Sequence, residues 1–347
     1  MFERFAVPIV QAPMAGGPST PALAAAVSRA GGLGMVAAGY RPADGFRDDL
    51  REARRLSAGI LGVNLFAPPG PPAPAGAVAC YAEAIGEDLR RAGVAPGAPR
   101  SDDDGLAAKL EVLRKDPVDV VSFTFGWPSP DVVAGVRATG AALWLTVTSA
   151  DDARAAAAAG ADALVVQGIE AGGHRGSPAD EDGREEPGLL ALLQLVRAAV
   201  DLPLVATGGI AGGRGVAAVL AAGARAAQLG TAFLLCPEAA TSPPHRAAVA
   251  SPAPTALTRA FTGRLARSIE NRFLRQHSAH APRAYPEVHH VTAPLRAHGR
   301  RTGDGEVLNL WAGQAHELTR ELPAERLVRE LADEARRALD EGRRLLG

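Results

Sequence analysis

A chain of 347 residues with 47% hydrophobic and 22% charged residues carries ample apolar surface for a packed core, which excludes wholesale disorder. Thirty-seven Lys plus Arg against 38 Asp plus Glu leave a formal charge of -1, so there is no reservoir of positive charge for nucleic acid. The start, Met1-Phe2-Glu3-Arg4-Phe5, has no basic-then-apolar leader, and Arg154, Arg214 and Arg225 break the Ala-rich runs; neither a signal peptide nor a membrane span is expected, and two distant cysteines, Cys80 and Cys236, suit a reducing cytoplasm.

Short β-branched runs alternate with longer Ala/Leu/Arg segments of helical period. In chain order, strands are expected at 6–10, 33–37, 60–65, 118–123, 142–147, 163–166, 202–206 and 226–229. Helices are expected at 20–30, 43–57, 77–93 with 105–115, 129–139, 149–159, 187–200 and 212–222, with one more at 324–345. Most of the strands are apolar throughout, as parallel strands covered on both faces are. Eight β/α units predict an α/β protein of the TIM (β/α)8 barrel type. Residues 67–76 and 93–105, the second ending in Asp102-Asp103-Asp104, read as loops around the third unit. Residues 237–315 leave the rhythm and hold most of the histidines. They predict a small, mainly helical domain covering the mouth of a barrel built from 1–236 and 316–347.

In such barrels the chemistry sits in loops after the strands, and phosphate often binds after the seventh and eighth. The first strand runs into Gln11-Ala12-Pro13-Met14-Ala15-Gly16-Gly17, the third ends at Asn64, and the sixth enters Gln167-Gly168-Ile169-Glu170-Ala171-Gly172-Gly173-His174-Arg175-Gly176. The seventh and eighth end in Thr207-Gly208-Gly209-Ile210 and Gln228-Leu229-Gly230-Thr231. Gly208, Gly209 and Gly230 either turn the chain or let backbone N–H groups approach an anion, and their placement after both expected strands favours a phosphate.

Gly32-Leu33-Gly34-Met35-Val36-Ala37 matches a dinucleotide fingerprint only formally, since it enters a strand instead of leaving one. His174, in a glycine-flanked loop, is the candidate for proton or anion chemistry, with Glu170 orienting the loop. His277 with His280, and His289 with His290, have spacings found in metal sites, but no Cys or H-E-x-x-H pattern joins them; solvated or pocket-lining roles are expected, and no metal.

These motifs resemble the FMN-dependent nitronate monooxygenases, formerly called 2-nitropropane dioxygenases. The resemblance rests on the Gln11 to Gly17 run with Thr20-Pro21, on Ala30-Gly31-Gly32-Leu33-Gly34, Gly62-Val63-Asn64, the Gln167 to Gly176 run, Gly208-Gly209-Ile210 and the Gln228 to Leu234 run. Phe261-Thr262-Gly263-Arg264, Tyr285-Pro286-Glu287-Val288-His289 and Leu310-Trp311-Ala312-Gly313-Gln314 are similar to the bacterial class I branch.

The resemblance implies FMN held by Met14, Asn64, Gln167, Gly172, Gly208, Gly209, Gln228, Leu229, Gly230 and Thr231, with His174 as the active-site histidine. It implies oxidation of alkyl nitronates such as propionate 3-nitronate with O2, giving a carbonyl compound and nitrite, by a monomer or homodimer. Tyr285, with His289 or His290, is expected near the substrate. The alternative is an FMN-dependent enoyl-thioester reductase using NAD(P)H, because related barrels share Glu-Ala-Gly-Gly-His. Family members often carry Asp where this chain has Gly212, so a weaker helix cap is expected there.

Overall fold

The computed structural model describes residues 1–180 and 187–345; positions 181–186, ahead of the expected 187–200 helix, and the last two residues of the expected barrel lie outside it. The elements follow in the order β1 (Ile9–Gln11), α1 (Pro21–Arg29), β2 (Gly34–Ala37), α2 (Ala43–Leu56), β3 (Leu61–Phe66), α3 (Ala75–Ala84), α4 (Gly86–Ala92), α5 (Leu106–Lys115) and β4 (Val120–Thr124). Then come α6 (Pro130–Ala138), β5 (Ala142–Val147), α7 (Ala150–Ala158), β6 (Ala163–Gln167), β7 (Gly173–His174), α8 (Leu189–Ala199), β8 (Leu204–Thr207), α9 (Gly213–Ala221) and β9 (Ala226–Leu229). The last part holds α10 (Pro243–Val249), β10 (Thr255–Thr258), β11 (Ala266–Ile269), α11 (Arg272–His277), α12 (Glu287–Thr302) and α13 (Ala324–Leu345).

Eight strands pair in the order β1-β9-β8-β6-β5-β4-β3-β2, every pair parallel. The remaining edge closes where Gln11 N donates to Leu33 O at 3.0 Å and Leu33 N to Ile9 O at 2.9 Å, completing a TIM barrel. Helices α1, α2, α5, α6, α7, α8 and α9 surround it, and α13 packs between α9 and α1. Several helices start where the sequence supplies a cap: Thr20 and Ser149 hydroxyls accept N–H bonds at 3.0 Å each, from Leu23 and Asp152.

Successive strand residues point to opposite faces, and both faces are buried. One set, including Leu61, Val63, Val121, Phe123, Leu145, Leu164 and Val166, packs outward against the helices. The other, including Val10, Met35, Val120, Trp144, Val165 and Val205, fills the lower barrel. Phe2 closes that end by stacking on Trp144 at 5.4 Å.

Two segments depart from the β/α rhythm. The expected 77–93 helix is a pair, α3 and α4, and it joins not the barrel but a separate apolar cluster in which Val78, Tyr81 and Leu89 meet Phe261, Phe273, Val288 and Leu295. The ring position after β3 falls to α5 instead. Residues 237–315 carry, besides their helices, the antiparallel pair β10–β11, and β11 also pairs with β7. Their alternation is masked by Arg267, a buried arginine of β11 in a pattern that reads as surface.

A Cβ added at Gly34 would lie 1.9 Å from the Ala24 carbonyl oxygen, so α1 rests directly on the start of β2. Gly34→Ala is expected to cost about 3 kcal/mol or more, read as a lowered urea midpoint. Gly70→Ala, with open space at the new methyl, is expected to leave the midpoint unchanged.

Candidate active site

The inward-facing set changes character toward the C-terminal ends of the strands. Above Ile60 comes Asn64, above Val120 come Ser122 and Thr124, and above Trp144 comes Thr146. Likewise Val165 gives way to Gln167, Val205 to Thr207 and Ala226 to Gln228. These polar side chains form the floor of a cleft, where Asn64 Nδ2 donates to Ser122 Oγ at 2.9 Å and Thr124 Oγ1 at 3.0 Å.

Met14, Asn64, Gln167, Gly172, His174, Gly208, Gly209, Gln228, Leu229, Gly230 and Thr231 all line this one cleft. Their contributions differ. The Leu229 side chain packs outward with the helices, so its main chain faces the cleft. The Gln167 amide is committed to the neighbouring loop: Nε2 donates to His174 O at 3.0 Å, and Oε1 accepts Gly176 N at 2.8 Å. Gly208 and Gly209 turn through φ 122 and φ 67, where a side chain would be strained. Gly230 has ordinary φ, and a Cβ there meets only Ala12 and Met14 at 3.4 Å and beyond. Gly212 caps α9 with no side chain, but Glu334 Oε2 of α13 accepts Gly213 N at 2.9 Å, so a distant carboxylate does the work of the missing Asp.

Glu170 orients its loop: its carboxylate accepts Leu189 N at the start of α8 at 2.9 and 3.1 Å. The buried Arg175 donates to Gly168 O at 2.8 Å. With those anchors, Gly173 and His174 extend as β7 along β11 in the register Ala266↔His174 and Arg267↔Gly173. The His174 ring then meets Trp311 at 5.2 Å, Phe125 at 5.6 Å and Tyr285 at 5.7 Å, and Nε2 lies 2.8 Å from Thr262 Oγ1.

Burial lowers the His174 pKa to about 3, and the guanidiniums of Arg264 and Arg296 add to the shift. Arg264 sits over the Phe125 ring at 4.3 Å. Arg296 is buried, with hydrogen bonds to the neutral Thr292 Oγ1 at 3.1 Å and His289 O at 2.7 Å and with His289 Nδ1 at 3.3 Å. Among the described residues lining the cleft there is no Asp or Glu, while Arg300 contributes a guanidinium. The resulting field is positive around a neutral imidazole, an arrangement that favours an anion.

Tyr285, His289 and His290 stand behind this lining and not within it. Tyr285 packs against His174 with the rings tilted by 56°. His289 stacks on Tyr40 at 4.2 Å. His290 turns away, with Nε2 3.1 Å from Asp102 Oδ2. His277 bonds the buried Asp88 at 2.7 Å.

Sequence reading passed over Tyr40, Phe66, Phe125, His245 and Trp311, all of which line the cleft. Tyr40 and Phe125 follow the second and fourth strands, so the strand-end rule alone could have found them. His245, on α10, and Trp311, between α12 and α13, come from the segment folded back over the mouth.

A model of the nitronate monooxygenase family matches residues 1–334. The chain belongs to that family. It is 42% identical over 344 residues to a nitronate monooxygenase of Pseudomonas aeruginosa, covering 95% of this chain and 96% of that one. A nitronate monooxygenase of Paraburkholderia phytofirmans is 40% identical over 343 residues, with 96% and 93% covered. Among solved structures, a nitroalkane oxidase from Streptomyces ansochromogenes superposes with a TM-score of 0.95 at 51% identity over 98% of each chain. FabK from Thermotoga maritima shares the fold more distantly, with a TM-score of 0.77 at 26% identity over 99% of this chain and 96% of that one. Within the nitronate monooxygenase family this chain is an oxidoreductase. No helix among its described residues is long and apolar enough to cross a membrane.

Burial makes a pH prediction. His174 is held neutral down to about pH 3 and His245 to about 4, and the His289 pKa is lowered too, whereas unfolded histidines titrate near 6.5. The unfolded chain therefore binds protons first, so stability is greatest above pH 6.5 and falls through the window down to the folded values, by up to about 1.4 kcal/mol per pH unit for each histidine. His174→Asn is expected to flatten the fall by about one proton between pH 6 and 4, measured as urea midpoints of the cofactor-free protein.

Proposed function

We propose that this chain is an FMN-dependent nitronate monooxygenase, converting alkyl nitronates such as propionate 3-nitronate with O2 to a carbonyl compound and nitrite. The observation that carries the reading is the neutral His174 flanked by Arg264 and Arg296 in a cleft whose described lining has no carboxylate. A nitronate is already an anion, so nothing has to be deprotonated before oxidation begins. An imidazole whose pKa has fallen to about 3 is a weak base but still a hydrogen-bonding group, which fits holding an anion better than abstracting a carbon-bound proton.

The lining also suits a flavin mononucleotide. Gly208, Gly209, Gly230 and Thr231 would hold the phosphate through backbone N–H groups, and the amides of Asn64 and Gln228 would face the ring system, with Met14 alongside and Gln167 holding the His174 loop against it. FMN, when bound, supplies the one-electron chemistry between nitronate and O2. The protein's own part is to orient the substrate and keep water out. Trp311, Phe125 and Tyr285 press on His174 from three sides, limiting its rotation. Residues 237–315, with α3 and α4, form the substrate-covering unit in this reading. Tyr285 and His289 shape its inner wall, while His290 serves the packing of α12. A cytoplasmic monomer or homodimer with no nucleic-acid partner fits the balanced charge.

The purified protein is expected to release FMN, and not FAD, on heating, as chromatography will read. Gly230→Val should weaken FMN retention at least tenfold. His174→Asn should keep FMN while nitronate oxidation falls about ten- to a thousandfold, the range for losing a positioned hydrogen-bonding partner. Bleaching of the flavin by NADH under anaerobic conditions, without response to a nitronate, would overturn this reading in favour of an enoyl-thioester reductase.

A further inference from the structure

The reaction as described leaves unused the acidic run Asp102-Asp103-Asp104 and Lys109, one of two lysines in a chain with 35 arginines. In the fold these residues meet. Lys109, on α5, is 1% exposed, and its Nζ lies 2.5 Å from Asp104 Oδ2. A compact ammonium can close on one carboxylate oxygen, where a guanidinium would bring five N–H groups needing acceptors. The other oxygen, Asp104 Oδ1, accepts the backbone N–H of Tyr40 at 3.0 Å.

Tyr40 stands at φ 63, a left-handed conformation that a bulky residue keeps only when its surroundings impose it. Its hydroxyl lies 3.0 Å from the hydroxyl of Tyr285, and its ring lines the cleft. The same segment reaches the other wall: Asp102 Oδ2 approaches His290 Nε2 at 3.1 Å, and Gly97 N donates to Val291 O at 3.0 Å. Residues 97–104 are thus a strap running from the barrel, at Tyr40 and Lys109, to α12 of the covering unit.

We propose that Asp104 and Lys109 are positioning residues for the oxidation, fixing Tyr40 so that the Tyr40–Tyr285 hydroxyl pair stands at the substrate end of the cleft beside His174. With Tyr285, behind the lining, donating to the Tyr40 oxygen, the Tyr40 proton is left to meet an anionic oxygen in the cleft. Burial pushes the Tyr40 phenol up to about 12 and Tyr285 well above its ordinary value, so both remain neutral donors at the pH of the reaction. The inference rests on the nitronate reading of the site and adds to it a buried ion pair that acts through a main-chain bond.

The experiment compares D104A, K109M, D104N/K109M and Y40F in the FMN-loaded full-length protein, with ethyl nitronate as the probe. D104A is expected to raise KM about tenfold with bound FMN unchanged. D104N/K109M removes both charges but keeps the acceptor for Tyr40 N–H, and is expected to stay within about threefold of the parent. In the Y40F background, D104A should raise KM less than twofold. Amide hydrogen exchange over residues 38–42 should quicken at least tenfold in D104A, with the strands of the barrel unaffected. Should D104A fail to fold, D104G, which suits the φ 57 of that position and equally removes the acceptor, carries the same comparisons. An equal rise in KM with and without the Tyr40 hydroxyl, or unchanged exchange at Tyr40, overturns the proposal. A parent enzyme that leaves ethyl nitronate unoxidised removes the nitronate reading instead, and the exchange measurement then decides by itself whether Asp104 holds Tyr40.

Discussion

Everything at the active end of this molecule depends on the strict alternation of side chains in a closed parallel barrel. Once Gln11 and Leu33 close the ring through their backbone bonds, every second strand residue must point inward. At the lower end these positions carry Ile60, Trp144, Val165, Val205 and Ala226, which fill the space. Two or four residues further along the same strands the inward positions become Asn64, Thr146, Gln167, Thr207 and Gln228. The cleft floor is therefore the same lattice as the core, with polar atoms substituted where packing ends. A floor built on strands holds its amides and hydroxyls more rigidly than loops could, which is what orientation of a planar ring requires.

The electrostatics come from elsewhere. Arg264 and Arg296 belong to the segment after the eighth barrel strand, and they reach His174 because β11 pairs with β7. That short pairing couples the histidine to the covering unit: Arg264 lies just before β11, which holds the histidine's backbone, while Arg296 is carried by α12. Burying arginines beside a histidine is costly unless an anion shares the space or hydrogen bonds satisfy them. Arg264 is satisfied by the carbonyls of Arg175 and Ser177, whereas Arg296 leans on Thr292 and His289. The positive charge is thus part of the resting architecture, held by main-chain carbonyls, by the Thr292 hydroxyl and, for Arg264, by the nearby Asp180 carboxylate.

Much of the barrel was legible before any coordinates because each unit repeats a local pattern. All eight expected barrel strands overlap an observed one, and the glycine turns after the last two lie where the barrel rule puts a phosphate site. The acceptor and donor residues at strand ends were legible for the same reason: Asn64, Gln167 and Gln228 are polar residues closing apolar runs. Tyr285 and one of His289 or His290 were expected near the substrate from their company in sequence, and on α12 and just before it the three face three different ways, toward His174, Tyr40 and Asp102. A helix turns about 100° per residue, so adjacency in sequence is no guide to a shared wall.

By itself, then, the sequence determined the α/β barrel, the strand ends that line the cleft and the glycine-flanked loop that carries His174, because periodicity and strand-end composition are local properties. Only the tertiary structure decided that α3 and α4 leave the barrel, that Glu334 caps α9 in place of an absent Asp, and that Lys109 reaches Tyr40 through Asp104. Each of those depends on a contact between residues far apart in the chain, whose partners bear no mark of one another until the chain is folded.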